Sequence, residues 1–251
     1  AVQSGKLSQL KPYTRSVAHQ CGWRWQIPLQ SRTGNGIVYS RQAMSDDEAQ
    51  DQLLNEIEGK PLTDPSIIRF RTGRRIQPWH HNCVAIGLSS GFLEPLESTS
   101  IHMIQSAVLR LVKHFPHKGV KQAEVDEYNR QTQREYEQVR DFIIMHYHVN
   151  SRSDSEFWKW CQRMSIPGTL ADKIKLFKQS GKVFREQDEL FAEVAWQQVL
   201  IGQGLVPEDY HPLAGTISDE QLAEFLHNVT TIIQSVVSRM ETHEQFLVRV
   251  Q

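Results

Sequence analysis

Apolar positions change period partway along the 251-residue chain. Early on they alternate. Trp23, Trp25 and Ile27 are separated by Arg24 and Gln26, the period of a half-buried strand that Pro28 ends. Gly36 to Ser40 and Ile67 to Arg71 read as neighbouring strands, Thr33-Gly34-Asn35-Gly36 as a hairpin turn, and Val84-Ala85-Ile86 as a short buried strand. Ser45-Asp46-Asp47-Glu48 is a capping box opening a helix through Ala49, Leu53, Leu54 and Ile57, which Gly59 and Pro61 stop. Ile101, Ile104, Ala107, Val108 and Leu111 then take the three-and-four spacing of an amphipathic helix. From Gln122 the pattern is helical: Gln122 to His148, Ser155 to Met164, Leu170 to Gln179 and Gln187 to Ile201. The cleanest stripe, Leu222, Phe225, Leu226, Val229, Ile232, Ile233, Val236 and Val237, lies within Ser218 to Met240 and reads as core packing. The whole predicts an α+β chain, mixed α/β over residues 1–117 and mainly helical over 118–251.

Between the strand at Val84 and the helix from Ile101 runs Gly-Leu-Ser-Ser-Gly-Phe-Leu-Glu-Pro-Leu-Glu-Ser-Thr-Ser, from Gly87 to Ser100. Ser98 or Thr99 is placed to cap the following helix. A strand, a Gly-containing loop and a capped helix together offer backbone N–H groups to an anion, because the first turn of a helix leaves its donors without intrahelical partners. A tight connection with ordinary capping fits the same residues equally well.

The run from Gly87 to Thr99 resembles a signature of the flavin-dependent halogenases of the tryptophan-halogenase family. Trp23-Arg24-Trp25-Gln26-Ile27-Pro28 is similar to the same family's Trp-x-Trp-x-Ile-Pro motif. Pro12-Tyr13-Thr14-Arg15, His146-Tyr147-His148, Phe157-Trp158 and Gly202-Gln203-Gly204-Leu205-Val206-Pro207 extend the similarity to about Ala214. The resemblance implies the later part of a flavin-monooxygenase-like mixed α/β domain followed by a helical substrate-binding region. It implies reduced FAD from a separate flavin reductase, O₂, and chloride or bromide, with hypohalous acid as the halogenating species. Glu97 and Ser98 take the family's catalytic positions, the backbone of Thr99 and Ser100 the halide position, and Leu88 and Ile101 the positions beside the flavin ring. Ser100 departs from the commoner glycine but keeps the N–H. Trp23, Trp25, Ile27 and Pro28 are family markers without an assigned step.

Two departures qualify this picture. The chain shows neither the Gly-x-Gly-x-x-Gly dinucleotide fingerprint nor an assignable catalytic lysine, so it is expected to be the C-terminal half of such an enzyme, inactive without an N-terminal half. In halogenases of free tryptophan, a tyrosine pair, a phenylalanine and an asparagine hold the amino acid. Their positions fall here on Gln179, Ser180, Leu190 and Ala195, with Glu186 alone matching the glutamate of that clamp. Phe191 falls where a tryptophan sandwiches the indole and can stack a ring by the same means. The substrate expected is indole or another electron-rich aromatic without the amino-acid charges. A hydroxylating flavoprotein relative and a non-enzymatic helical binding module are the competing readings.

Composition narrows the partners. With 39% hydrophobic residues the chain can bury a sizeable core, and a net charge of −1 gives no electrostatic case for nucleic acid or an anionic membrane. Cys21, Cys83 and Cys161 are widely spaced, show no metal-ligand pattern and suit reduced residues of a cytoplasmic protein, which could form a homodimer.

Overall fold

The computed structural model describes residues 1–186 and 188–250, which fall into two compact units. The first comprises Ala1–Arg69, Ser153–Lys159 and the chain from Pro212 onward; the second comprises Phe70–Arg152 and Trp160–His211. Among the described residues no helix is long and apolar enough to cross a membrane.

The first unit is built on a four-stranded antiparallel sheet in the order β1 (Val2–Ser4), β4 (Thr33–Tyr39), β3 (Gly22–Pro28), β2 (Arg15–His19). The predicted turn at Thr33 to Gly36 is therefore strand, and the chain reverses just before it, where Leu29 N–H donates to the Arg32 carbonyl. The cause lies in the partner strand. Trp25 faces Gly36 in register, and a Cβ on Gly36 would stand 2.3 Å from the Trp25 ring. The glycine makes room for an indole instead of turning the chain.

Burial on β3 departs from the alternation. Trp23 and Gln26 are buried, Trp25 is half-buried and Ile27 is exposed. The polar residues of β3 are drawn in by carboxylates around α1 (Asp46–Glu56): Arg24 pairs with Glu56 at 2.7 Å, and Gln26 donates to Glu58 at 3.4 Å. The Ser45–Glu48 capping box opens α1 as expected. Ile67 to Arg71 is not strand.

In the second unit β5 (Gly73–Arg74) pairs with β8 (Gly91–Phe92), and β6 (Trp79–His80) with β7 (Cys83–Val84). Helix α2 (Ser100–Lys113) packs on the 27-residue α3 (Gln122–His148), clamped by Arg110, which donates to Glu135 at 2.8 Å and to Thr132 at 2.9 Å. Of the apolar stripe predicted on α2, Ala107 is buried, while Ile101, Ile104 and Val108 are exposed; Met103 is its other buried anchor.

Helix α4 (Glu156–Arg163) precedes α5 (Gly168–Ser180) and α6 (Glu193–Gly202), and the last two pack on the C-terminal half of α3 around Phe142, Met145, Leu170, Phe177, Trp196 and Leu200. The helix predicted from Gln187, which lies outside the described residues, begins only at Glu193. Asp188 takes a left-handed conformation (φ 63°), and the fully buried Glu189 turns inward to accept from Lys173 Nζ (2.9 Å), Trp196 Nε1 (2.8 Å) and the Glu186 N–H (3.0 Å).

Back in the first unit, α7 (Asp219–Val237), opened by the Ser218–Gln221 capping box, and α8 (His243–Val250) complete the chain. The stripe on α7 was expected in the core; it is exposed along its whole length.

Candidate active site

The loop from Gly87 to Thr99 is a series of tight turns. A 3₁₀ turn at Gly87–Ser89 leads into β8, and a second, Pro95–Glu97, is capped by the side chain of Glu94, which accepts from the Leu96 N–H at 3.2 Å. Close approach fixes Gly91, where a Cβ would meet the Gly73 carbonyl oxygen at 2.7 Å and the Tyr136 ring at 2.9 Å. Ser98 then adopts the left-handed conformation (φ 52°, ψ 33°), which costs a non-glycine residue roughly 1–2 kcal/mol. That reversal carries the chain into α2. Positive φ thus falls on Ser98, while Ser100 enters the helix with ordinary geometry.

Neither hydroxyl caps α2 as expected. Thr99 occupies the N-cap position without a side-chain hydrogen bond, and Ser98 lies outside the helix. The N–H groups of the first turn are consequently not satisfied by their own cap residue, which suits them to an external acceptor. Thr99 and Ser100, with Gly87, Leu88, Phe92 and Tyr136, line a cavity of about 30 Å³, room for one water-sized particle or a single halide. Burial pushes the Tyr136 phenol up from its ordinary value. Leu88 and Ile101, at 74% and 78% exposure, leave apolar surface open to a further group.

Glu97 is not solvated at random. Its carboxylate lies 2.8 Å from Nε2 of His146, in the last turn of α3, and His146 Nδ1 lies 2.9 Å from the Phe142 carbonyl oxygen. Both ring nitrogens face oxygen acceptors, whereas a neutral imidazole has one N–H. The chain of contacts continues: the Phe142 ring meets His146 edge-on at 5.1 Å and stacks on Phe191 at 3.7 Å and 12°. Phe191 is half-buried, with one face committed to Phe142.

The structure thus gathers Leu88, Glu97, Ser98, Thr99, Ser100, Ile101 and Phe191 in the second unit; Trp23, Trp25, Ile27 and Pro28 belong to the first. His146 and Phe142 had no assigned role from sequence. Their signal was present, in the His146-Tyr147-His148 segment and the four-residue helical spacing that puts Phe142 under His146. Of the residues at the tryptophan-clamp positions, Gln179 is exposed, the Ser180 hydroxyl donates to its own helix at Leu176, and Leu190 and Ala195 pack into apolar clusters. Glu186 accepts from Gln138 at 3.3 Å and lies 3.6 Å from Arg134.

Comparison with known proteins gives one family. The family described as tryptophan halogenase matches residues 1–219. A tryptophan 7-halogenase of Kutzneria sp. (strain 744) is 40% identical over 220 residues, covering 81% of this chain and 41% of that protein. The solved structures of flavin-dependent halogenases from Xanthomonas campestris and Brevundimonas sp. BAL3 are each 44% identical with a TM-score of 0.96. They cover 99% and 100% of this chain and 50% and 51% of theirs, so the chain spans about half the length of these relatives.

Proposed function

Because the chain belongs to the tryptophan halogenase family, we propose that it supplies the halide loop, the catalytic glutamate and a substrate wall of a flavin-dependent halogenase acting on an indole-type aromatic. The observation that carries this is the joint placement of Glu97 on His146 and of Thr99 and Ser100 around a halide-sized cavity, within a few residues of each other. In this reading residues 1–117 complete a flavin-binding domain and 118–251 hold the substrate. An N-terminal half supplies the remaining cofactor contacts and the lysine.

The residues present fit part of the cofactor: apolar Leu88 and Ile101 stand open beside the cavity, while the phosphate-binding glycine loop is not in this sequence. When bound, the reduced flavin, with O₂, supplies the oxidising power that turns halide into an electrophile. The chain's own residues do the rest. Backbone donors at the start of α2 hold chloride or bromide, where a helix N-terminus favours an anion. Glu97 accepts the ring proton lost when the carbon–halogen bond has formed, and it is oriented for this by His146. Phe191, backed by Phe142, presents an aromatic wall. The reading is of a cytoplasmic enzyme fed by a separate flavin reductase.

The test is Glu97→Gln in the enzyme completed with its N-terminal half. Halogenated product should fall by about 10²-fold or more, as for loss of a general base, while flavin oxidation by O₂ continues. Product formation at the wild-type rate would remove Glu97 from the chemistry and with it this assignment.

A further inference from the structure

Arg75 takes no part in the proposed chemistry, yet it holds two consecutive carbonyls of the halide loop. Its Nε donates to the Ser89 carbonyl at 2.6 Å, and its own backbone N–H donates to the Ser90 carbonyl at 2.8 Å. Both carbonyls lie at the end of the 3₁₀ turn Gly87–Ser89, where a short helix leaves its last acceptors without internal partners. One residue of the neighbouring strand segment therefore completes the turn. Among the described residues no carboxylate pairs with the Arg75 guanidinium, so the side chain is directed by the Ser89 carbonyl and not by an ion pair.

This strap is anchored on α3. Arg75 directly follows β5, whose Arg74 lies 3.2 Å from Glu137 and also donates to the Arg75 carbonyl at 3.2 Å. Tyr136, next to Glu137, lines the halide-sized cavity and is hydrogen-bonded to Ser90. Gly87 and Leu88 line the same side, just before Ser89. The facing wall, from Thr99, Ser100 and Ile104, starts α2 and is held separately, through Arg110 and Glu135. The two walls close on each other at one end, where a Cβ on Gly87 would stand 3.1 Å from Ile104 Cγ1. A cavity of about 30 Å³ holds one particle, and a gap of roughly 0.5 Å already forfeits a quarter or more of a close contact.

We propose that Arg75 is a positioning residue of the halide site: by tying Ser89 and Ser90 to the end of β5, it sets the spacing between the loop wall and the start of α2, and with it the affinity for halide. The proposal rests on the functional reading above, which puts the halide in this cavity. Arg75 does not line the cavity, so it acts through the carbonyls that it holds and not on the anion. The hydrogen bond from Nε is the operative feature, and the charge is not.

The test follows the NMR line broadening of chloride by the 251-residue chain and reverses it with bromide, whose midpoint reports affinity at the shared site. Arg75→Met removes both donor and charge. It should raise the midpoint about 5-fold or more, the scale of one lost hydrogen bond, and leave helical circular dichroism unchanged because the side chain is exposed. Arg75→Gln carries an amide nitrogen as many bonds from the backbone as Arg Nε, without the charge, and should recover most of the affinity. Recovery by Arg75→Lys with Gln as weak as Met would make the charge the cause and overturn the proposal. An unchanged midpoint in Arg75→Met would overturn it too, whether or not the melting temperature falls, and would leave the functional reading standing. No broadening by the wild-type chain would remove the halide from this cavity, and both the functional reading and this inference would go with it.

Discussion

At the residue scale the informative feature is a carboxylate with a designated partner. Glu97 lies 2.8 Å from His146 Nε2, and His146 Nδ1 lies 2.9 Å from the Phe142 carbonyl oxygen. His146→Phe should lower kcat by about 10-fold or more, with substrate KM moved far less, since His146 acts through Glu97 and not on the substrate. His146→Gln keeps an amide donor and should recover part of the loss; equal damage from both variants would mean that the ring packs rather than positions. The halide loop makes a second residue-scale claim. Ser100→Pro removes one N–H at the first helical position and also disfavours the αR conformation of Thr99 before it (φ −76°, ψ −7°), so the variant is first checked for its helical content, and where folded its apparent KM for bromide should rise. Unchanged bromide dependence in a folded variant would place the halide elsewhere. A third concerns thiols. Burial pushes the Cys161 thiol up to about 11, from an ordinary value near 9.0. Its protonated form is thus favoured by folding, and its contribution to stability is full below pH 9 and is lost as pH rises toward 11. At neutral pH an alkylating reagent should label exposed Cys83 and spare Cys161. Prompt labelling of Cys161 would show that the second unit opens readily.

At the element scale the segment between α5 and α6 holds the aromatic wall in place. Phe191 follows a carboxylate, Glu189, that is 1% exposed and bound by Lys173 and Trp196. Glu189→Ala leaves Lys173, itself largely buried, without its counter-charge, a loss of about 3–5 kcal/mol. Denaturant unfolding of the variant should show it; a shift below 1 kcal/mol would make the pair dispensable. This segment also shows where sequence reading ends. Capping boxes at Ser45 and Ser218 were legible because their residues act within four positions of one another. The start of α6 was not, because Glu189 is turned inward by Lys173 of α5 and by Trp196 of α6 itself. The turn misread at Thr33 to Gly36 has the same origin: the glycines answer to an indole one strand away. The loop at Gly87 was legible through its motif and α3 through its pattern, but not the contact between them, since His146 is distant in sequence from Glu97.

For the whole molecule, the question is what the assembled enzyme would accept. A free amino acid brings an ammonium and a carboxylate into the pocket, and desolvating them loses several kcal/mol unless charged hydrogen bonds are returned. At the positions that the resemblance matches to the amino-acid clamp of free-tryptophan halogenases, this chain has Gln179 exposed on α5, Ser180 bonded to its own helix, and Leu190 and Ala195 packed into apolar clusters. Glu186 is engaged by Gln138 and Arg134. Phe191 stacks on Phe142, and as the proposed substrate wall this pair would discriminate by ring shape and electron density and not by charge. Indole or an uncharged derivative should therefore be halogenated with a higher kcat/KM than L-tryptophan in the completed enzyme supplied with a flavin reductase and bromide. Tenfold is the scale set by even one lost charge-assisted hydrogen bond, at about 1.5 kcal/mol. A preference for tryptophan would mean that the N-terminal half brings a charge clamp of its own. Glu97→Gln would separate that outcome from a failure of the chemistry, because it should suppress both substrates alike whatever holds them.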